Sequence, residues 1–282
     1  MGIVAFSLPL PAGLSPRTVT LVAVQFTILG SGSGGNCAYL ETSETRILID
    51  AGFSGRQIRQ RLASINRTPE TLHGILITHE HTDHTQGLAV LCGKLRIPVF
   101  CNRLTKDAIE RQLGIPIDCR LFQTGASVEI GDVLIDTFPV PHDAQDPVGF
   151  LLRTAAVNIG FLTDLGHATK LVIERVRPAN VLVLETNHDL KLLQEDTKRP
   201  WSVKQRILSR HGHLSNDAAA AVAGQVVSAD LRRLYLGHLS RDCNRPELAH
   251  RAVSEQLAQV GAGHVRVEST SQENPSPTLS LG

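Results

Sequence analysis

The sequence lacks the cysteine pattern of a disulfide-framed or thiolate-zinc protein. Its five cysteines, Cys37, Cys92, Cys101, Cys119 and Cys243, are odd in number and nowhere form C-x-x-C. That predicts reduced thiols in a cytoplasmic setting. A charge of one sign is missing too, because 28 Lys and Arg against 27 Asp and Glu leave a net charge of +1. The chain is no polycation, so any contact with nucleic acid has to come from a local basic patch. No apolar run approaches the ~18 residues of a membrane-spanning helix, and no membrane partner is expected. The opening MGIVAFSLPLPAGLSPRTVTLVAV has no basic residues ahead of its apolar stretch, which argues against a secretory signal. Residues 1–24 are read as an N-terminal extension of uncertain order. Helical H-E-x-x-H spacing is also absent, which excludes a thermolysin-like zinc site.

What is present suffices for one large domain: 282 residues, 42% of them hydrophobic. Short apolar, strand-like runs such as CAYLE, VGFLLRT and ANVLVLET alternate with helical patterns such as SGRQIRQRLASI and SNDAAAAVAGQVV. The expectation is an α/β fold with two packed sheets and helices on their outer faces. No repeat and no compositional shift marks a second domain, so residues 25–268 read as one unit. Residues 269–282 are polar and contain prolines, and are read as a disordered tail.

Two glycine-rich or histidine-rich stretches need separating. GSGSGG, at 30–35, formally fits G-x-G-x-x-G, with Asp50 near the place of a ribose-binding acid. That motif requires a helix after the glycines, to hold a pyrophosphate at its N-terminus. Strand-like NCAYLE follows instead, so the glycines read as a tight hairpin turn near a site. ITHEHTDH is the stronger signal. It supplies His79, His81, Asp83 and His84 within six residues, directly after the strand-like GILI. Imidazole and carboxylate together suit zinc and other borderline divalent ions. His142, Asp164, His238 and Asp50 also stand at the ends of strand-like runs, where neighbouring strands converge. In SRHGHLSND, His211 and His213 remain candidates for metal ligation, proton transfer or helix capping.

T-H-E-H-T-D-H, with Asp50 before it and His142, Asp164 and His238 after it in that order, resembles the metallo-β-lactamase superfamily over roughly residues 25–268. The resemblance implies an αββα sandwich with a metal site at one sheet edge. It further implies two divalent metal ions, Zn2+ or Mn2+. His79, His81 and His142 would hold the first, and Asp83, His84 and His238 the second. Asp164 would bridge them, and Asp50 would orient a ligand histidine. A bridging hydroxide would then be the nucleophile, with Asp83 and Asp50 counted among the catalytic groups. Aspartate at position 164, where the dizinc β-lactamases carry cysteine, disfavours antibiotic hydrolysis. The interval from 164 to 238 is too short for the inserted domain of the β-CASP nucleases.

Four phrases, LGSGSGGNC, ETNHD, PWSVKQRILSRHGHLSNDAAA and LGHLSRDCNRPELA, resemble the YycJ/WalJ group of that superfamily. That group implies 5′→3′ exonuclease action on double-stranded DNA. GHLSNDAAA followed by LGHLSR is more distantly similar to tRNase Z, which makes His213 the expected proton donor. The alternatives are an RNA-processing nuclease of tRNase Z type and a small-molecule ester, thioester or lactone hydrolase.

Substrate contacts are expected from a basic run, Lys191 to Arg210, that leads into the His213 segment. Arg206 and Arg210 lie on it, and the backbone of nucleic acid would track such a ridge. Asn187 and His188, after the strand-like VLVLET, are cleft-lining candidates. So are Ser240 and Arg241, just after His238. Trp201, the single tryptophan, is either a base-stacking platform or a packing residue.

Overall fold

The computed structural model of the protein describes residues 24–282. The expected extension, up to residue 23, lies outside the described residues. The first half of the chain builds one sheet from β1 (Val24–Gly30), β2 (Cys37–Glu41), β3 (Arg46–Ile49), β4 (Gly74–Leu76), β5 (Val99–Cys101) and β6 (Cys119–Leu121). The second half builds another from β7 (Ser127–Ile130), β8 (Val133–Pro139), β9 (Val148–Arg153), β10 (Asn158–Leu162), β11 (Val181–Glu185), β12 (Arg233–Gly237) and β13 (Arg266–Ser269). A last strand, β14 (Leu279–Leu281), returns to the first sheet and pairs antiparallel with β1. Each sheet opens with antiparallel neighbours and continues with parallel ones. β3, β4, β5 and β6 run parallel, as do β10, β11, β12 and β13.

The parallel strands are joined by helices on the outer faces, as crossovers require. α1 (Gly55–Ser64), α2 (Thr82–Thr85), α3 (Leu88–Leu95) and α4 (Arg103–Leu113) belong to the first half, and α5 (Lys170–Val176), α6 (Leu190–Glu195), α7 (Trp201–Ile207), α8 (Asn216–Val226) and α9 (Pro246–Gln259) to the second. Local chemistry sets several of their starts. Ser54 and Gln57 form a capping box at α1, and the Ser215 hydroxyl accepts the Ala218 N–H at α8. Gly87 separates α2 from α3; a Cβ there would meet Ile58 Cδ1 and the Phe53 carbonyl at 2.6 Å.

Three apolar layers give the αββα sandwich. Phe26, Ile47, Ile49, Phe150, Val181 and Tyr235 fill the space between the sheets. Ile58, Leu62, Leu91 and Ile109 pack helices on the first sheet. Val172, Ala219, Ala223, Val253 and Leu257 pack helices on the second. Burying each large aliphatic or aromatic side chain contributes roughly 1.5–3 kcal/mol. The inner parallel strands β4 and β5, and Val181 to Leu184 of β11, read as unbroken apolar runs because both of their faces are covered.

The stretch read as a disordered tail is instead ordered. After β13, residues 270–281 cross to the first sheet. Ser276 N–H donates to the Ile28 carbonyl at 2.8 Å, and Val24, Gln25 and Phe26 register with Leu281, Ser280 and Leu279. Composition misleads here because backbone pairing to an exposed edge, not apolar content, holds the segment.

Candidate metal centre

The C-terminal ends of the parallel strands meet along one edge of the sandwich. β3 delivers Asp50, β4 leads to His79, β10 to Asp164 and β12 to His238. In parallel sheets the carboxyl ends of strands are where ligands gather. Asp50, Asp164 and His238 each take a left-handed backbone, with φ of 59°, 57° and 54°. Such conformations cost of order 1–3 kcal/mol and persist where surrounding structure fixes them.

Three donor groups result; one joins Asp164 and His238 to Glu185 and His213, and the other two consist of sequence-predicted residues. In one, ring nitrogens of His79, His81 and His142 lie within 4.8 Å of one another. In the other, donor atoms of Asp83, His84, Asp164 and His238 do the same. Asp164 joins them: its Oδ2 is 3.1 Å from His84 Nε2, while its Oδ1 is 3.3 Å from His238 Nε2 and 3.8 Å from His142 Nε2. All seven of these sequence-predicted positions are therefore brought together. The chemistry of the donors fits divalent cations. His79 Nε2 and Asp164 Oδ2 are buried without a hydrogen-bond partner, an arrangement that a cation would satisfy. Burial, then the nearby His84 charge, holds His79 well below the usual imidazole range, which keeps its lone pair free. Burial would raise the Asp164 carboxyl, but His238 and His84 outweigh it and hold it well below its ordinary range.

Partners on the far side of the rings orient them. Asp50 Oδ2 lies 2.7 Å from His84 Nδ1, and its Oδ1 accepts the Thr78 N–H at 2.9 Å. Burial is the main influence on Asp50 and raises its carboxyl against the lowering effect of His84. His142 Nδ1 donates to the Gly212 carbonyl at 3.1 Å, which leaves Nε2 facing the cluster. Gly212 has no room for a side chain, since a Cβ would stand 2.1 Å from the Ile207 carbonyl. The glycine loop is a hairpin connection, as its sequence predicts. Ser31 Oγ accepts the His238 N–H at 2.8 Å, and Asn36 Nδ2 lies 3.1 Å from His84 Nε2.

Glu185, at the end of β11, is the principal residue that sequence reasoning missed. It is fully buried. Its Oε1 accepts from His213 Nδ1 at 2.6 Å and lies 3.2 Å from His238 Nδ1. Its Oε2 accepts the Leu165 and Leu214 backbone N–H groups at 2.9 and 3.2 Å. Burial would raise this carboxyl, but the His213 and His238 contacts lower it to about 2. The converse holds at His213, where burial is outweighed by Glu185 and the imidazole is raised above its ordinary value. Its ring centroid sits 5.1 Å from that of His142 and 5.2 Å from that of His238. His211 is exposed on the same turn and joins neither cluster. A carboxylate ending an all-apolar strand was the available signal for Glu185.

His213 opens onto a cleft of about 230 Å³, lined also by Ser33, Asp143, Asn187, Arg206 and Ser240. Asn187 and Ser240 thus stand on the cleft wall, with Asn187 Nδ2 donating to the His238 carbonyl at 3.0 Å. His188 does not: it is 1% exposed, with both ring nitrogens unpartnered, and burial lowers it to about 4. Arg241 points outward and pairs with Glu273 at 3.1 Å. The expected basic ridge is internally compensated. Lys198 and Arg199 pair with Asp242, Arg199 also with Asp196, Arg206 with Asp143, and Arg210 meets His167. Lys204 is buried and donates to the Gln194 carbonyl. Trp201 is 63% exposed, so it is no core residue. No helix of the described residues is long and apolar enough to cross a membrane.

Residues 45–239 match the model of the Beta-lactamase superfamily domain. The exodeoxyribonuclease WalJ of Streptococcus pneumoniae is 39% identical over 92% of this chain and 99% of its own length. The exodeoxyribonuclease YycJ of Bacillus anthracis is 37% identical over 86% of this chain and 92% of its own. The crystal structure of the metallo-beta-lactamase fold protein YhfI from Bacillus subtilis superposes with a TM-score of 0.67, at 14% identity, over 92% of this chain and 99% of that one. The likeness of fold, the domain match and the near-full-length relatives agree, and the chain belongs to the beta-lactamase superfamily, alongside the WalJ and YycJ proteins.

Proposed function

We propose that the protein is a metal-dependent phosphodiesterase that removes nucleotides from the 5′ ends of double-stranded DNA in the cytoplasm. The observation that carries this reading is the pair of donor clusters sharing Asp164, with a glutamate-paired histidine beside them at the mouth of a cleft. The names of the WalJ and YycJ relatives support the choice of DNA.

His79, His81 and His142 would hold one divalent ion, and Asp83, His84 and His238 a second, with Asp164 shared; zinc and manganese both suit this donor set. Bound there, such ions supply Lewis acidity toward the phosphoryl oxygens and make hydroxide available near neutral pH. The protein's own groups do the rest. Asp50 and Gly212 orient His84 and His142. Glu185 holds one proton on His213 Nδ1 and favours the imidazolium, whose Nε2 proton would pass to the leaving oxygen. Asn187 and Ser240 offer polar groups to the substrate backbone from the cleft wall. Arg206 reaches the phosphate chain only by leaving Asp143, an exchange that is affordable because exposed ion pairs are worth about 0–1 kcal/mol.

The test is a panel of end-labelled substrates, with metal-loaded protein. Progressive loss of nucleotides from 5′-phosphorylated duplex DNA is expected. Internal cuts in RNA with intact DNA would replace this reading by the RNA-processing one. Turnover of esters alone would replace it by the small-molecule one.

A further inference from the structure

The glycine loop presents two glycines, Gly32 and Gly34, against Gln272. A Cβ on either would stand 2.9 or 2.8 Å from the side chain of Gln272, so the loop is shaped to receive that residue. Gln272 belongs to the segment that follows β13. Its Oε1 accepts the Gly34 N–H at 2.8 Å, and its carbonyl accepts from Arg61 Nη2 at 2.8 Å. Arg61 Nη1 donates in turn to the Leu29 carbonyl at 2.6 Å, at the start of the same loop. One residue earlier, the Ser271 carbonyl accepts the Ser31 N–H at 3.0 Å. The loop is therefore gripped at both of its limbs by one short stretch of chain.

What the loop carries makes this grip consequential. Ser31 Oγ donates to Asn36 Oδ1 at 2.9 Å and accepts the His238 N–H at 2.8 Å. Asn36 reaches His84 Nε2 at 3.1 Å. Gly52 donates to the Asn36 carbonyl at 2.9 Å, and Asn36 N–H donates to the Asp83 carbonyl at 2.8 Å. Three of the four residues in the second donor cluster, Asp83, His84 and His238, thus touch a loop held by Ser271 and Gln272. The His79, His81 and His142 cluster has no such link.

We propose that the segment from Ser271 is a strap that sets the geometry of the second cluster, with Gln272 as its positioning residue. The proposal rests on the reading that this cluster holds a divalent ion. It assigns the glycines of the loop to the strap and gives the C-terminal return a role in the site.

The test compares Gln272→Ala, Gln272→Glu and Thr278→Ala in the full chain. Thr278 accepts from Thr27 at 2.9 Å on the same strap but away from the loop, so its variant reports the general cost of loosening the return. Zinc binding is measured by titration against a chromophoric chelator, together with the melting temperature of the metal-free protein. Gln272→Ala should weaken the second zinc, by less than the roughly 10- to 100-fold expected for a partner bonded directly to a metal ligand, and leave the first unchanged. Gln272→Glu keeps the acceptor and should restore most of that affinity. Thr278→Ala should lower the melting temperature without the zinc effect. Wild-type zinc affinity in Gln272→Ala, or equal loss in Thr278→Ala, would overturn the strap. A wild-type protein that takes up only one zinc would instead overturn the reading of the second cluster, and the strap with it.

Discussion

Glu185 accepts three hydrogen bonds on its two oxygens, lies 3.2 Å from His238 Nδ1 and has no solvent exposure, so its charge is committed to His213 and His238. That pairing holds a proton on His213 Nδ1, and His213 is not needed to complete either the His79, His81 and His142 cluster or the Asp83, His84, Asp164 and His238 cluster. His213→Ala should therefore lower kcat by about 10²- to 10⁴-fold, the range for loss of a general acid, and leave metal content unchanged. Elemental analysis beside steady-state kinetics checks it, and loss of metal would return His213 to the ligand reading. Glu41 on β2 accepts from Tyr39, Arg46 and Arg67. Burial would raise its carboxyl, but Arg67 and Tyr39 hold it below the ordinary glutamate value. A lowered folded value contributes stability above the unfolded pKa, near 4.3, that is lost as pH falls through the folded one. Glu41→Gln should thus melt below wild type at pH 7, and the gap should close below about pH 4. A gap that widens in acid would contradict the assignment. The histidines and aspartates of the two clusters were legible in the sequence because they are crowded or end apolar runs. Glu185, Asn36 and Gln272 were not, because each acts through contacts across 28 to 238 positions that no local pattern encodes.

Among the elements, long alternating or apolar runs such as β2 and β9 and the capped helices α1 and α8 follow directly from periodicity and capping. β6, β7 and β14 do not. Each has three or four residues, with exposed or half-exposed positions, and is defined by its neighbour more than by its own composition. α6 has six residues and is likewise short of a full period signal. The turn between α7 and α8 shows how an element's backbone reaches the site. Gly212 closes on Ile207 and offers its carbonyl to His142. Gly212→Ala should displace that carbonyl, lower metal affinity at the first cluster and reduce the melting temperature. Zinc titration and calorimetry test it, and a variant with wild-type values in both would show that the turn tolerates a Cβ and that His142 needs no such support. The basic run shows the reverse case: charge is visible in the sequence, while the acids that compensate it, Asp143, Asp196 and Asp242, come largely from other segments.

For the whole molecule, two sheets built from the two halves of the chain meet at one edge, and Asp164 is where their donor sets join. A ligand that binds only the folded state stabilises it by about 2.7 kcal/mol at a hundredfold excess over its Kd. Divalent ions should accordingly raise the melting temperature of the wild-type chain, and chelation should lower it. The most direct measurement of the central claim is the number of zinc ions retained per chain after dialysis, for the wild type and for Asp164→Ala, with DNA shortening assayed in parallel. The account predicts two ions in the wild type, weakened binding of both in the variant, and loss of exonuclease activity with them. A wild-type chain holding a single ion, or an Asp164→Ala variant that keeps two ions and full activity, would contradict it.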